Sequence, residues 1–306
     1  MVLYPEYYKK FNCIAHRCKH NCCIGWEIDI DDRTLDFYNS VDGDFGERLR
    51  QSIYQEGAPH FKLKANDRCP FLNDNGLCDI ITTLGEDALC QICNDHPRFR
   101  NDYSTFFEIG LGLCCEEAAR IILTFEKPFS LISKEGEPLV TKEEAAFFSF
   151  RQSLIDLAQE ETLSFEEKLK KFEDTYDYKF LRRDILGWVD FLSQLERLDP
   201  AWEKYLTLAQ VQSEKLNAVD LSSYEKYFSR LLVYFIYRHT ADGLYDGKFT
   251  QRAALSFYCT YLIRLLTAAQ LTHNENFAIG NFIELCRSFS AEIEYSEENT
   301  ESILSL

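Results

Sequence analysis

Ten of the twelve cysteines lie between Cys13 and Cys115, and only Cys259 and Cys286 follow. Four of the six histidines (His16, His20, His60 and His96) share that opening third. Such asymmetry divides the chain into a cysteine-rich module, residues 1–125, and a remainder, residues 126–306, that must fold by other means. The N-terminal residues lack the apolar stretch of a secretory leader, so a cytoplasmic location is expected. In that reducing compartment regularly spaced thiols serve metals or chemistry more often than disulfides. The turn-rich stretch 126–137 reads as the junction.

Beyond the junction the apolar spacing becomes helical. Leu181, Ile185, Trp188, Leu192 and Leu195 step by three and four, which places them on one helix face. Tyr224, Tyr227, Phe228, Leu231 and Phe235 repeat the pattern, as does the stripe from Leu255 to Ala269. Ile279, Phe282, Ile283, Cys286, Phe289 and Ile293 form a fourth stripe, and residues 242–247 read as a loop between two long helices. Residues 291–306 carry glutamates without Lys or Arg, so this tail is expected to fray into solvent. The expected fold is therefore mainly α: an irregular, metal-organised cysteine-rich module followed by an α-helical bundle. Cys259 and Cys286 fall on apolar stripes and read as small buried hydrophobes.

The early cysteines form four groups. Cys13, Cys18, Cys22 and Cys23 lie within eleven residues. Cys69-Pro70 and Cys78 flank Asp74-Asn75-Gly76, a turn signal that folds two short arms together. Cys90 and Cys93 form the one C-x2-C pair, and Cys114-Cys115 open an apolar helix. A metal site needs several thiolates at ~2.3 Å from the ion, and close spacing lowers the entropy cost of gathering them. Adjacent Cys22 and Cys23 are expected to point apart and, if both are ligands, to serve separate irons or separate sites. Zinc and an iron–sulfur cluster both need this inventory. The C-x4-C spacing, the Cys-Cys pair and Cys-Pro favour the cluster, in its 4Fe-4S form.

At these residues the sequence resembles the flagellin lysine-N-methylase (FliB-like) family. The likeness runs through Phe11-Asn12-Cys13 to Trp26, Cys69-Pro70-Phe71-Leu72 to Ile80, Leu84-Gly85-Glu86 to Cys93, His96-Pro97-Arg98 and Cys115 to Arg120. It covers residues 8–125 well and the helical remainder loosely. Carried over by position, it implies metal ligation by Cys13, Cys18, Cys22, Cys23, Cys69, Cys78, Cys93 and Cys115. Cys90 and Cys114 stand where the family has other small residues and are left out of that set, and Glu116 replaces the family's proline after the cysteine. The resemblance implies an iron–sulfur protein that methylates lysine side chains of flagellin, with S-adenosylmethionine as donor.

Composition is consistent with this. Against 33 Lys+Arg stand 50 Asp+Glu, a net charge of -17, which repels phosphate backbones and attracts a lysine-rich protein surface. No nucleic-acid partner is expected, and no membrane span, since no apolar run reaches ~18 residues. A dinucleotide fingerprint is missing: Gly110-Leu111-Gly112 runs into cysteines where a third glycine would be needed. Either the cluster itself holds the donor or a pocket without a local signature does. Trp26 is expected to pack against the cysteine loop and shield it, and Arg98 to neutralise cluster charge, hold a carboxylate or make a surface ion pair. Glu117 is the candidate general base, against the plainer role of an acid in a first helical turn. Asp31 or Asp32 reads as the N-cap of the helix that follows. His16 and His20 read as solvated loop residues. The competing functions are a non-enzymatic zinc- or iron-chelating carrier and a redox sensor using exposed thiols such as Cys90 and Cys114.

Overall fold

A computed structural model describes residues 1–306. The chain forms two compact units, one comprising Met1–Phe11 with Phe99–Leu306, the other Asn12–Arg98. These limits differ from a division at 125/126: both the N-terminal segment and residues 99–125 pack with the helices.

The reason lies in a four-stranded sheet that no local sequence signal announced. Its order is Arg98–Asp102, Phe107–Leu111, Val2–Pro5, Leu131–Ser133. Val2–Pro5 runs parallel to Phe107–Leu111, with Val2 opposite Phe107, and antiparallel to Leu131–Ser133, with Tyr4 opposite Ile132. The expected junction thus contributes an edge strand, and the extreme N-terminus fills the gap between strands distant in sequence.

The helices of this unit begin where local chemistry predicts. Thr141 with Glu144 and Ser164 with Glu167 form capping boxes at the starts of helices Lys142–Gln159 and Phe165–Tyr176, each satisfying two otherwise orphaned backbone donors. Asp184 caps Ile185–Gln194 by accepting from the Gly187 amide at 2.7 Å. Helix Phe249–His273 is the centre of the bundle. It packs against Glu203–Val211, Glu225–His239, Ile279–Ile293 and Glu297–Leu304 and is buried almost continuously from Ala253 to Ala269. Its buried hydroxyls donate to carbonyls one turn back, Thr260 to Ser256 at 2.9 Å and Thr267 to Ile263 at 2.7 Å, so this helix carries polar groups inside without leaving them unpaired. No helix is long and apolar enough to cross a membrane.

The tail does not fray. Glu297–Leu304 is a helix with Ile303 and Leu304 buried. The buried Asn299 side chain donates to the carbonyls of Glu196 and Glu292 at 2.9 and 2.8 Å. Charge alone misjudged this segment: Glu297, Glu298 and Glu301 face solvent, but Glu292 and Glu294 are buried against Arg197 and Arg238.

One buried ion pair joins the sheet to the helices. Glu108, on the strand Phe107–Leu111, receives two hydrogen bonds from Arg151 of helix Lys142–Gln159, at 2.6 and 2.7 Å, with side-chain exposures of 1% and 5%. The Tyr103 hydroxyl donates to Glu108 at 3.0 Å, and the Arg151 guanidinium lies over the rings of Phe147, Phe148 and Tyr237. Beside it, Gly110 admits the ring of Phe99, which would lie 2.3 Å from an added Cβ. Removing one partner of such a pair strands a charge in the core. Glu108→Ala should therefore cost about 3–5 kcal/mol in urea unfolding, and Glu108→Leu combined with Arg151→Met should recover part of that loss.

Candidate functional site

The unit Asn12–Arg98 has a core of its own, built on Ile28, Ile30, Tyr38, Leu49, Phe61 and Phe71 together with the buried Cys69 and Cys90. Asp31 is the N-cap of helix Asp32–Ser40, accepting from the Thr34 amide at 3.0 Å, and its second oxygen accepts from the Gln91 amide at 2.8 Å. One cap thus fastens two helices. Burial pushes the Asp31 carboxyl up, but the bonds from Gln91 and Thr34 outweigh this and leave it below the usual carboxylate range. The Tyr38 hydroxyl donates to the Ala88 carbonyl at 2.8 Å and holds the segment leading to Cys90.

Three backbone devices bring the thiols together. Residues 23–25 lie beside residues 67–69: the Cys69 amide donates to the Cys23 carbonyl at 2.9 Å and the Gly25 amide to the Asp67 carbonyl at 3.0 Å. The expected turn after Leu72 forms, with Leu72 bridged to Cys78. Within it the Asn73 side-chain oxygen accepts from the Asn75 and Leu77 amides, both at 3.0 Å, and Gly76 takes the positive φ of 72° that the turn requires. Helix Gln91–Asp95 starts at Cys90, which puts Cys90 and Cys93 on adjoining positions of its first turn.

The outcome is a group of six thiols within electrostatic reach of one another: Cys22, Cys23, Cys69, Cys78, Cys90 and Cys93. The adjacent Cys22 and Cys23 thiols lie close enough to act on each other's proton affinity. The neighbouring Cys23 draws the Cys22 thiol down to about 7, while Cys23 is pushed up. Cys90 and Cys93 influence each other in the same way, with Cys90 lowered and Cys93 raised, and burial lifts Cys69 to about 11. No three His, Cys, Asp or Glu side chains close on one point as ligands of an ion. An apolar core and hydrogen-bonded turns hold these segments beside one another.

Five of the eight expected ligands fall in this group. Cys13 and Cys18 flank the short turn Ala15–Arg17; the Cys13 sulfur accepts from the Ala15 amide at 3.4 Å and the Cys18 thiol donates to the His20 carbonyl at 3.2 Å. Cys115 belongs to the helical unit, at the start of helix Glu116–Thr124. Cys90, set aside on resemblance, is 1% exposed and lies close to Cys93. The C-x2-C spacing was the available signal for it. An exposed redox thiol does not describe it, and Cys114 is pushed up to about 12 by burial.

The Trp26 indole donates to the Cys22 carbonyl at 2.7 Å and packs on the core of this unit, which places it beside the cysteine loop. Arg98 donates to the Asn94 and His96 carbonyls at 3.0 and 3.4 Å, at the end of helix Gln91–Asp95. Glu117 meets the Arg120 guanidinium through both oxygens, at 2.6 and 2.7 Å, in the first turn of its helix. His16 and His20 are exposed.

The FliB lysine N-methylase C-terminal domain model matches residues 140–306, more than half of the chain. This chain belongs to the FliB lysine N-methylase family. It is 27% identical over 230 residues to proteins named "Lysine-N-methylase" from Salmonella typhimurium and Salmonella choleraesuis, covering 71% of this chain and 56% of each relative. It is 30% identical over 142 residues to the "Flagellar biosynthetic protein FliU" of Salmonella muenchen, covering 44% of this chain and 84% of that one. The chain thus spans about half the length of the lysine N-methylases it matches. No solved structure matches it.

The Asn73 turn carries a test of how the thiols are held. Asn73→Ala should destabilise the small unit by about 1–3 kcal/mol, since two backbone donors lose their acceptor, and should speed hydrogen exchange at the amides of residues 75–79. Asp79 adds a pH signature. Burial raises its carboxyl, but bonds from Asn73 and Arg48 outweigh that and hold it low. Its contribution should be complete above an unfolded value of about 3.9 and disappear as pH falls through the lower folded one. Asp79→Asn should remove that portion of the acid dependence.

Proposed function

We propose that this protein is a lysine N-methyltransferase acting on flagellin, or on another lysine-rich protein surface, with S-adenosylmethionine as methyl donor and an iron–sulfur cluster at its thiol centre. The observation that carries the reading is family membership through residues 140–306. The names of the relatives, lysine N-methylase and a flagellar biosynthetic protein, support the reaction and the class of substrate. The net charge of -17 favours encounter with a lysine-bearing partner.

The donor set suits a soft metal centre in kind. Thiols select iron–sulfur clusters or zinc over hard cations, and six of them share one neighbourhood in the unit Asn12–Arg98. Cys22, Cys23, Cys69, Cys78, Cys90 and Cys93 are the residues that would supply the ligands. When bound, S-adenosylmethionine supplies the methyl group and a cluster supplies Lewis-acidic iron. The remaining demand falls on the protein. A lysine amine reacts only as the neutral base, yet near pH 7, three or so units below its ordinary pKa of about 10.4, it is almost wholly protonated, so the chain must desolvate the amine or accept its proton. The Trp26 indole, anchored on the Cys22 carbonyl, would screen the thiol centre from water.

Iron and acid-labile sulfide analysis of anaerobically purified protein, together with mass spectrometry of flagellin after incubation with isotopically labelled donor, tests both parts. We expect iron and sulfide in comparable amounts, labelled methyl groups on lysine, and joint loss of iron and sulfide in Cys69→Ser. A colourless zinc protein that transfers no methyl group would establish the chelating alternative.

A further inference from the structure

The helical unit contains a cavity of about 440 Å³ that the thiol centre does not involve, within the range of small-molecule sites, roughly 300–1,000 Å³. Its floor is formed where Lys168, from helix Phe165–Tyr176, meets Ser229 and Arg230 of helix Glu225–His239. Lys168 is 2% exposed. Its ammonium donates to the Ala158 carbonyl at 2.8 Å and to the Ser229 hydroxyl at 2.7 Å. An ammonium has three donors, so one is left over, and the Ser229 hydroxyl, used here as an acceptor, keeps its own hydrogen. Arg230 donates to the Leu123 carbonyl at 2.6 Å and retains further N–H groups. Burial pulls the Lys168 pKa below its ordinary value and outweighs the opposite pull of Glu225, Glu160 and Glu161.

The other surfaces differ in kind. Tyr7, Phe125, Phe129 and Tyr234 provide an aromatic wall. Phe129 is held in place by its amide, which donates to the Gln159 side chain at 2.5 Å. Glu126 and Glu161, both exposed, line the cavity together with the exposed Lys127 and Lys226 and the half-buried Glu225. A cavity with cationic donors in the floor, flat apolar walls and carboxylates in the lining suits a ligand with three parts: a carboxylate, a flat ring system and a positive charge. S-adenosylmethionine combines a carboxylate, an adenine and a sulfonium.

Resting on the donor named in the proposed function, we infer that this cavity is the methyl-donor site: Lys168, Ser229 and Arg230 take the carboxylate, the aromatic wall takes the adenine, and Glu126 and Glu161 face the cationic end. Such a site escapes a motif search because its residues come from four separate segments, none of which carries a glycine-rich turn.

Calorimetric titration of the anaerobically purified 306-residue chain with S-adenosylmethionine, without acceptor protein, tests the site by binding alone. Lys168→Met should weaken binding about ten- to hundredfold, the loss of a hydrogen bond to a charged group. Ser229→Trp, at a half-buried position facing the cavity, should abolish it. Far-ultraviolet circular dichroism and thermal melting report whether each variant folds. Should Lys168→Met fail to fold, Arg230→Gln, half-buried and on the cavity wall, carries the test with the same direction of effect. Unchanged affinity in folded variants would overturn the cavity assignment and leave the choice of donor standing. No binding by the unsubstituted chain would overturn both.

Discussion

Helix Phe249–His273 has almost no face for solvent, and the larger unit is arranged around that fact. A helix apolar on all sides must be enclosed, and four other helices enclose this one. The chain's unusual aromatic content, 24 Phe and 17 Tyr, serves the same need. Phe172 stacks on Phe257 with ring centroids 4.7 Å apart, and Phe180 on Tyr258. Once the centre is closed in this way, the sheet must attach from outside. The Glu108–Arg151 pair makes that attachment specific, because a buried pair tolerates one geometry whereas apolar contact tolerates many.

The smaller unit solves a different problem. With about a quarter of the chain it has less apolar surface to bury, and it relies on short hydrogen-bonded closures. Asp31 joins two helices, Asn73 closes a turn, and the Cys23–Cys69 backbone contact draws two distant loops together. The thiols gather as a by-product of these closures. Segments held close in this way lower the entropy cost of assembling a ligand set.

Much of this was legible in the residues. The stripe Ile279–Ile293 coincides with a helix of the same bounds, and Asp31 caps the helix it was expected to cap. The turn between Cys69 and Cys78 forms as Asp74-Asn75-Gly76 requires. These succeed because periodicity, capping and turn chemistry are set within a few residues. The misreadings have the opposite character. A parallel pairing of Val2–Pro5 with Phe107–Leu111 has no local trace, and the acidic tail hides buried positions among its charges.

For the functional centre the division is the same. The amino-acid sequence alone determined that cysteines would be abundant and would crowd the opening third. Only the tertiary structure decided which thiols are neighbours: it joined Cys90 to the group and assigned Cys115 to the helical unit. It also occupied Glu117 with Arg120 and built a cavity from segments scattered between Tyr7 and Tyr234. Spacing along a chain limits how cheaply residues can meet, but contacts between distant segments are chosen by which apolar surfaces bury one another.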